Sequence, residues 1–254
     1  MDYTGRAMKK FLFIFLLCST TIGAQYTIPY RTSVGASGLV VLQVGNDTTV
    51  TNQNYSTATL TSAIPSGAGI VVILGGELGA GNAVTSCSDS SLNTYTVDAS
   101  VTNADNVSVA ICAAYAVNSI SSGGTVTVNF PADSTARSIY VYEVPPTYFA
   151  TSSWADTNGT YSTTYSCSTG CTATTSANVA GNDVVFTGWD TLATSHTITT
   201  GYTTLIDDIN IADSGRILYF GFKTVVSGSG AASATDTLPT SNDNVGFVSA
   251  YREQ

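Results

Sequence analysis

Val107-Ser-Val-Ala-Ile-Cys-Ala-Ala-Tyr-Ala-Val117, Thr125-Val-Thr-Val-Asn-Phe130 and Ser138-Ile-Tyr-Val-Tyr-Glu-Val144 together decide the fold class. Ser122-Gly123-Gly124 separates the first two runs and Pro131-Ala132-Asp133 the last two, both being turn signals. In the first run Val107, Val109, Ile111, Ala113, Tyr115 and Val117 recur with the period of two that one face of a strand requires. The other face, Ser108, Ala110, Cys112, Ala114 and Ala116, is small and equally uncharged. A strand without charge on either face belongs in the middle of a structure, covered on both sides. Ile139 and Val141 alternate with Tyr140 and Tyr142 in the same way. The stretch reads as three strands of a meander.

Working outward, the second half of the chain echoes the first. Ala180 to Phe186 resembles Gly67 to Ile73, and Thr200-Gly201-Tyr202-Thr203 resembles Asn93-Thr94-Tyr95-Thr96. Leu218 to Lys223 resembles the central strand, and Phe247 to Arg252 resembles Ile139 to Glu143. The offsets drift, as in a degenerate duplication rather than a solenoid. Helical periodicity is absent outside the N-terminal segment. Five or so strands per half are few for two separate cores. The expectation is therefore one all-β, antiparallel, two-sheet β-sandwich, jelly-roll-like, built from two loosely repeated halves. Its boundaries are a signal peptide over 1–24, an N-terminal lead with one strand over 25–57, and the sandwich over 58–254.

The signal peptide is read from Met8-Lys9-Lys10, the apolar run Phe11 to Leu17, and Ile22-Gly23-Ala24 as a small-residue cleavage site. It predicts a secreted or cell-surface protein without membrane insertion. The whole chain carries 8 Lys and Arg against 17 Asp and Glu, a net charge of −9. Without residues 1–24 the five remaining cations, Arg31, Arg137, Arg216, Lys223 and Arg252, are scattered. No basic patch can neutralise a phosphate backbone, so nucleic acid is not an expected partner. Charged residues make up only 10% of the chain, with Ser and Thr supplying much of the polar surface.

Four cysteines follow the signal segment, and an even number in an exported chain favours disulfides, with three pairings open. The favoured set is Cys87–Cys112 and Cys167–Cys171, the alternative for Cys112 being a buried free thiol. The order of motifs also resembles a group of uncharacterised exported bacterial jelly-roll-like β-sandwich modules. The matching stretches are Gly69 to Val72, Asn93 to Thr96, Tyr115 to Asn118, Thr125 to Val128, Tyr142-Glu143, Asn182 to Val185 and Tyr251-Arg252. The chain departs from that pattern at Leu92, where the group has Gly, and at Val117, where it has Lys. The resemblance implies a fold and no activity.

Candidate chemistry is sparse, and no catalytic residue is assigned. His196 is the only histidine, and Ser195 beside it points to the opposite face of a strand, against the geometry of a triad. It reads as an exposed loop residue. Glu77 and Glu143 are the only glutamates before Glu253, and nothing in the sequence brings them together. Trp154, Asp156, Asn158, Trp189 and Tyr202 are the candidate ligand-binding set, because sugars stack on aromatic rings while Asp and Asn bond their hydroxyls. Asp207, Asp208 and Asp213 form the best acid cluster for calcium, although their spacing misses the helix-bound calcium loop. No other cofactor is implied. The leading expectation is a non-catalytic secreted binding or adhesion module with carbohydrate, or another cell-surface component, as partner. The alternatives are a structural subunit of a surface layer or filament, with self-association, and a glycoside hydrolase or lyase.

Overall fold

The computed structural model describes residues 32–34, 39–48, 52–78, 84–103, 105–134, 136–146, 155–157, 159–160, 162–164, 170–179, 183–193, 195–199, 201–208, 216–225, 230–239 and 243–251. The strands of the first half are β1 (Thr32–Val34), β2 (Val40–Asp47), β3 (Gln53–Leu60), β4 (Gly69–Glu77), β5 (Ser86–Asp89), β6 (Thr96–Thr102), β7 (Val107–Ala114), β8 (Thr125–Ser134) and β9 (Ala136–Val144). Those of the second are β10 (Ala155–Thr157), β11 (Gly159–Thr160), β12 (Ser162–Thr164), β13 (Cys171–Val179), β14 (Val184–Thr191), β15 (Thr197–Ile198), β16 (Thr203–Asp208), β17 (Ile217–Thr224), β18 (Gly230–Thr237) and β19 (Asn244–Tyr251). The fold is all-β, and the strand pairings are antiparallel.

The sequence predicts two sheets, and hydrogen bonding divides the strands into three. The first runs β5-β8-β3-β2-β9-β4-β7-β6, with β1 added to β2. It curls until its edges approach, forming a nearly closed barrel. Val84, just before β5, donates its N–H to Ser100 Oγ on β6 at 3.0 Å, and the Cys87–Cys112 disulfide ties β5 to β7. The second sheet runs β10-β19-β14-β17-β16, with β12 also on β19, and the third runs β11-β13-β18-β15. The order β9-β4-β7-β6 thus recurs as β19-β14-β17-β16, and β5-β8-β3 as β15-β18-β13.

Three cores follow from this stacking, where the sequence suggests one. Val44, Ile70, Val72, Cys112, Val126 and Val141 fill the barrel. Ile73, Val109, Tyr142, Phe186, Phe220 and Phe247 form a core shared between the first and second sheets. Trp189, Tyr219, Val248, Ala173 and Ala234 lie between the second and third sheets. Successive residues of β4 therefore serve different cores: Ile70 and Val72 point into the barrel, Val71 and Ile73 into the shared layer. The same position between two cores explains why neither face of β7 carries charge. Each large apolar side chain buried here contributes about 1.5–3 kcal/mol.

The shared layer is closely fitted. Phe186 stacks on Phe220 with ring centroids 5.4 Å apart, and Tyr142 tilts against Phe220 at 5.3 Å. Polar groups also cross it. Asp190 of β14 accepts the Gly76 N–H of β4 at 2.8 Å and the Arg216 Nε–H at 3.1 Å. Arg216 reaches on to Glu77 at 3.8 Å. Tyr251 of β19 donates its hydroxyl to Asp98 at 2.8 Å. Burial pushes Asp190 up to about 6, even though Arg216 and the backbone donors of Gly76 and Ser108 pull it down.

Candidate functional site

Polar side chains converge between β16, β17 and β18. Along β18 the inward positions are Ala232, Ala234 and Asp236. Asp236 is fully buried, so its carboxylate must find donors inside the protein. It accepts from Asn244 Nδ2 at 2.9 Å and meets His196 Nδ1 at 3.0 Å. The second imidazole nitrogen, Nε2, meets Asp207 Oδ1 at 3.0 Å. The His196 side chain is only 5% exposed, whereas that of Asp207 is 50% exposed. The edge of the imidazole faces Tyr219, with ring centroids 5.6 Å apart. Burial alone would lower the imidazole pKa; the hydrogen bonds and charges of Asp236, and then of Asp207, outweigh it and hold His196 above its usual range.

Next to this triad, Lys223 Nζ lies 4.4 Å from the centroid of the Tyr202 ring. The Tyr202 hydroxyl donates to the Ser233 carbonyl at 3.0 Å, and Lys223 Nζ donates to the same oxygen at 3.4 Å. Burial lowers the Lys223 pKa and raises that of Tyr202. Thr204 Oγ1 and the Tyr219 hydroxyl stand 3.5 Å apart. The arrangement is a brace. Both imidazole nitrogens face carboxylates, so neither is aimed at a nucleophile of the kind that base catalysis requires.

The residues expected from sequence are distributed otherwise. Trp189 is completely buried, with its indole N–H bonded to Thr187 Oγ1 at 2.9 Å and its ring against Gly246. It belongs to a core and not to a stacking platform. Tyr202 joins the brace. Trp154 and Asn158 lie outside the described residues, and Asp156 sits in the edge strand β10. Of the calcium candidates, Asp207 holds His196, Asp208 ends β16, and Asp213 lies outside the described residues. Among the described residues no three His, Cys, Asp or Glu side chains are grouped to hold a metal ion.

Cys87 and Cys112 are joined. Cys171 is also disulfide-bonded, while Cys167 lies outside the described residues. Gly75 and Gly76 are strand residues of β4. His196, read from sequence as an exposed loop residue, is a buried pivot. Glu143 stands opposite Ile70 on β4, seven residues along that strand from Glu77. At about 3.3 Å per residue the two glutamates are roughly 23 Å apart, too far to flank a glycosidic bond. Sequence reasoning missed Asp236 and Asn244. The available signal was an acid at the third inward position of the Ala232, Ala234, Asp236 alternation.

No family model matches this chain, and no curated protein matches it. Among solved structures it is similar to two variants of the Bacillus subtilis oxalate decarboxylase. One gives a TM-score of 0.20 at 8% identity over 88% of this chain and 74% of that chain. The other gives 0.18 over the same shares, also at 8% identity. At these values the likeness carries no argument about fold or activity.

Proposed function

We propose that this chain is a non-catalytic module of the cell exterior, a rigid doubled β scaffold that serves as a structural or adhesive subunit. The observation that carries the reading is His196. The only histidine of the chain has both ring nitrogens committed to carboxylates in a side chain that is 5% exposed. Each half is read as jelly-roll-like, from the barrel order and its recurrence in the second and third sheets. The Cys87–Cys112 bond suits an oxidising compartment, in keeping with export read from Met8 to Ala24.

The structural reading stands ahead of the carbohydrate-binding one because Trp189 is in a core and Lys223 covers one side of Tyr202. Carbohydrate remains the favoured ligand class for the Trp154-Ala-Asp156-Thr-Asn158 segment, on composition. A glycosidase or lyase is the weakest reading, given the separation of Glu77 and Glu143.

Sedimentation of the purified protein over a wide concentration range, together with a glycan array, tests the proposal. Reversible self-association, or saccharide binding that Trp154→Ala abolishes and Trp189→Phe does not, supports it. Glycan cleavage that falls in Glu143→Gln or His196→Gln overturns it. So does a protein that neither associates nor binds any saccharide.

A further inference from the structure

β3, β8 and β5 lie side by side in the first sheet, with alternate side chains turned into the barrel and toward solvent. The inward positions, such as Ala58, Val126 and Cys87, are buried. The outward positions pair across the strands in three rows. Tyr55 stands opposite Asn129, and Asn129 opposite Ser86. Thr57 stands opposite Thr127, and Thr127 opposite Ser88. Thr59 stands opposite Thr125. With rows about 6.8 Å apart on strands about 4.8 Å apart, the face is a regular grid of hydroxyl and amide groups.

The groups of this face hold one another in place. The Thr57 and Thr127 hydroxyls are 2.9 Å apart, and Asn129 Nδ2 donates to Ser86 Oγ at 3.2 Å. Tyr55 is 40% exposed, and its hydroxyl accepts from Gln53 Nε2 at 3.0 Å. In a pair of hydroxyls only one donates to the other. The second keeps its proton for an outside acceptor, and lone pairs remain on both. A ligand therefore meets donors and acceptors that are already oriented, which lowers the cost of binding.

The chemistry of the face narrows its partner. No Asp, Glu, Lys, Arg or His stands in the three rows, so an ion or a charged chain finds no opposite charge there. A protein partner is a poor fit, because Ser and Thr are under-represented among the residues that anchor protein contacts. A saccharide fits. Its hydroxyls exchange hydrogen bonds with hydroxyl and amide groups, while the C–H face of a sugar ring stacks on an exposed tyrosine. A sheet face suits a chain of sugar units lying across the strands better than a single sugar, which needs a cleft. The counterpart strands β13, β18 and β15 repeat only part of the pattern. Thr172 and Thr235 stand opposite each other with hydroxyls 2.8 Å apart, yet none of those strands contains an aromatic residue.

We infer that the outer face of β3, β8 and β5 binds a neutral linear polysaccharide, with Tyr55 stacking on a sugar ring and Thr57, Thr127 and Asn129 bonding its hydroxyls. The inference rests on the adhesive reading above and adds a surface built from residues other than the Trp154 segment.

An array of neutral and acidic glycans, followed by titration of glucose and mannose hexasaccharides into the purified protein, tests it. Neutral chains are expected to bind. Tyr55→Ala is expected to weaken the Kd about tenfold, the value of one stacked ring, while Tyr55→Phe, which keeps the ring, binds nearly as well. Thr127→Asp, which places a charge at the centre of the face, is expected to abolish binding. Thr172→Asp, on the counterpart face, is expected to leave it unchanged. Thermal melting shows that each variant is folded. Binding that is lost in Trp154→Ala but unchanged in Tyr55→Ala and Thr127→Asp overturns this surface and leaves the carbohydrate reading in place. Binding confined to acidic glycans also overturns it. If no glycan binds, the surface and the carbohydrate reading both fall, and sedimentation decides the structural-subunit reading.

Discussion

Ile73 of β4 occupies the space that a side chain at Gly188 of β14 would need. A Cβ at Gly188 would lie 2.7 Å from Ile73 Cδ1 and 2.5 Å from the Phe247 ring. The relation has a counterpart, since a Cβ at Gly75 of β4 would lie 2.5 Å from Leu218 Cδ1. Each half thus offers a glycine to a branched aliphatic side chain of the other, which lets two apolar sheets close without a gap.

Gly188→Ala is expected to destabilise the protein by about 1–3 kcal/mol, the usual cost of overpacking a well-filled core. Gly75→Ala is expected to cost less, because the end of Leu218 can move more easily than the Phe247 ring. Chemical denaturation of both variants checks the order. Equal costs would remove the argument from ring rigidity.

Arg216 and Asp190 are both buried and bonded at 3.1 Å. Arg216→Met leaves the carboxylate without its cation, and breaking such a pair costs about 3–5 kcal/mol. The folded-state pKa of Asp190, about 6, lies above the unfolded value of about 3.9. The stability it contributes is therefore fully present below about pH 4 and is lost as the pH rises through about 6. The penalty of Arg216→Met should then be larger at pH 7.5 than at pH 4.5. Denaturation midpoints of the variant at the two pH values decide this.

His196 titrates with the same sign. Its folded-state pKa is raised, so its stabilisation is present below about pH 6.5 and is lost as the pH rises through the higher folded value. The groups that face it are Asp207 on β16, Tyr219 on β17 and Asp236 on β18. Proton resonances of the imidazole should show a pKa above the ordinary histidine value. His196→Gln should flatten the fall in stability as the pH rises above about 6.5.

Trp189→Ala is expected to cost about 3–5 kcal/mol, as for other buried aromatic truncations, and to leave any saccharide binding unchanged in the folded fraction. A milder substitution, Trp189→Phe, loses the Thr187 hydrogen bond and should cost less. Calorimetry and ligand titration on both variants separate a core role from a ligand-contact role.

Replacing Cys87 and Cys112 together by Ala removes a cross-link between residues 25 apart in sequence. The constraint it places on the unfolded chain is about 3–4 kcal/mol. The double variant should lose about that much stability, and added reductant should then have less effect on it than on the parent protein.

Period-two alternation was enough to find the central strands, because alternation is a local property of the chain. The uncharged faces of β7 also announced that it is covered on both sides. The echo between Gly67 to Ile73 and Ala180 to Phe186 placed β4 and β14 at equivalent positions, and the sheet orders agree. The lead was harder to read. Only one strand is expected there, whereas β3 (Gln53–Leu60) is polar on one side and its burial alternates only from Ser56 onward. The candidate site was mostly illegible. Asp236, His196, Asn244 and Asp207 are spread over 49 positions of a Ser- and Thr-rich sequence, and none of them forms a local motif.

The sequence by itself determined an all-β chain with doubled punctuation and an uncharged central strand at Val107 to Ala114. Side-chain period and turn chemistry act over a few residues and can be read from them directly. Only the tertiary structure decided that the two halves meet through Ile73, Gly188, Leu218 and Gly75. It also decided that Trp189 is a core residue and that His196 is locked between Asp207 and Asp236. Each of these depends on which sheet face lies against which, and that is set by contacts between residues far apart in the chain.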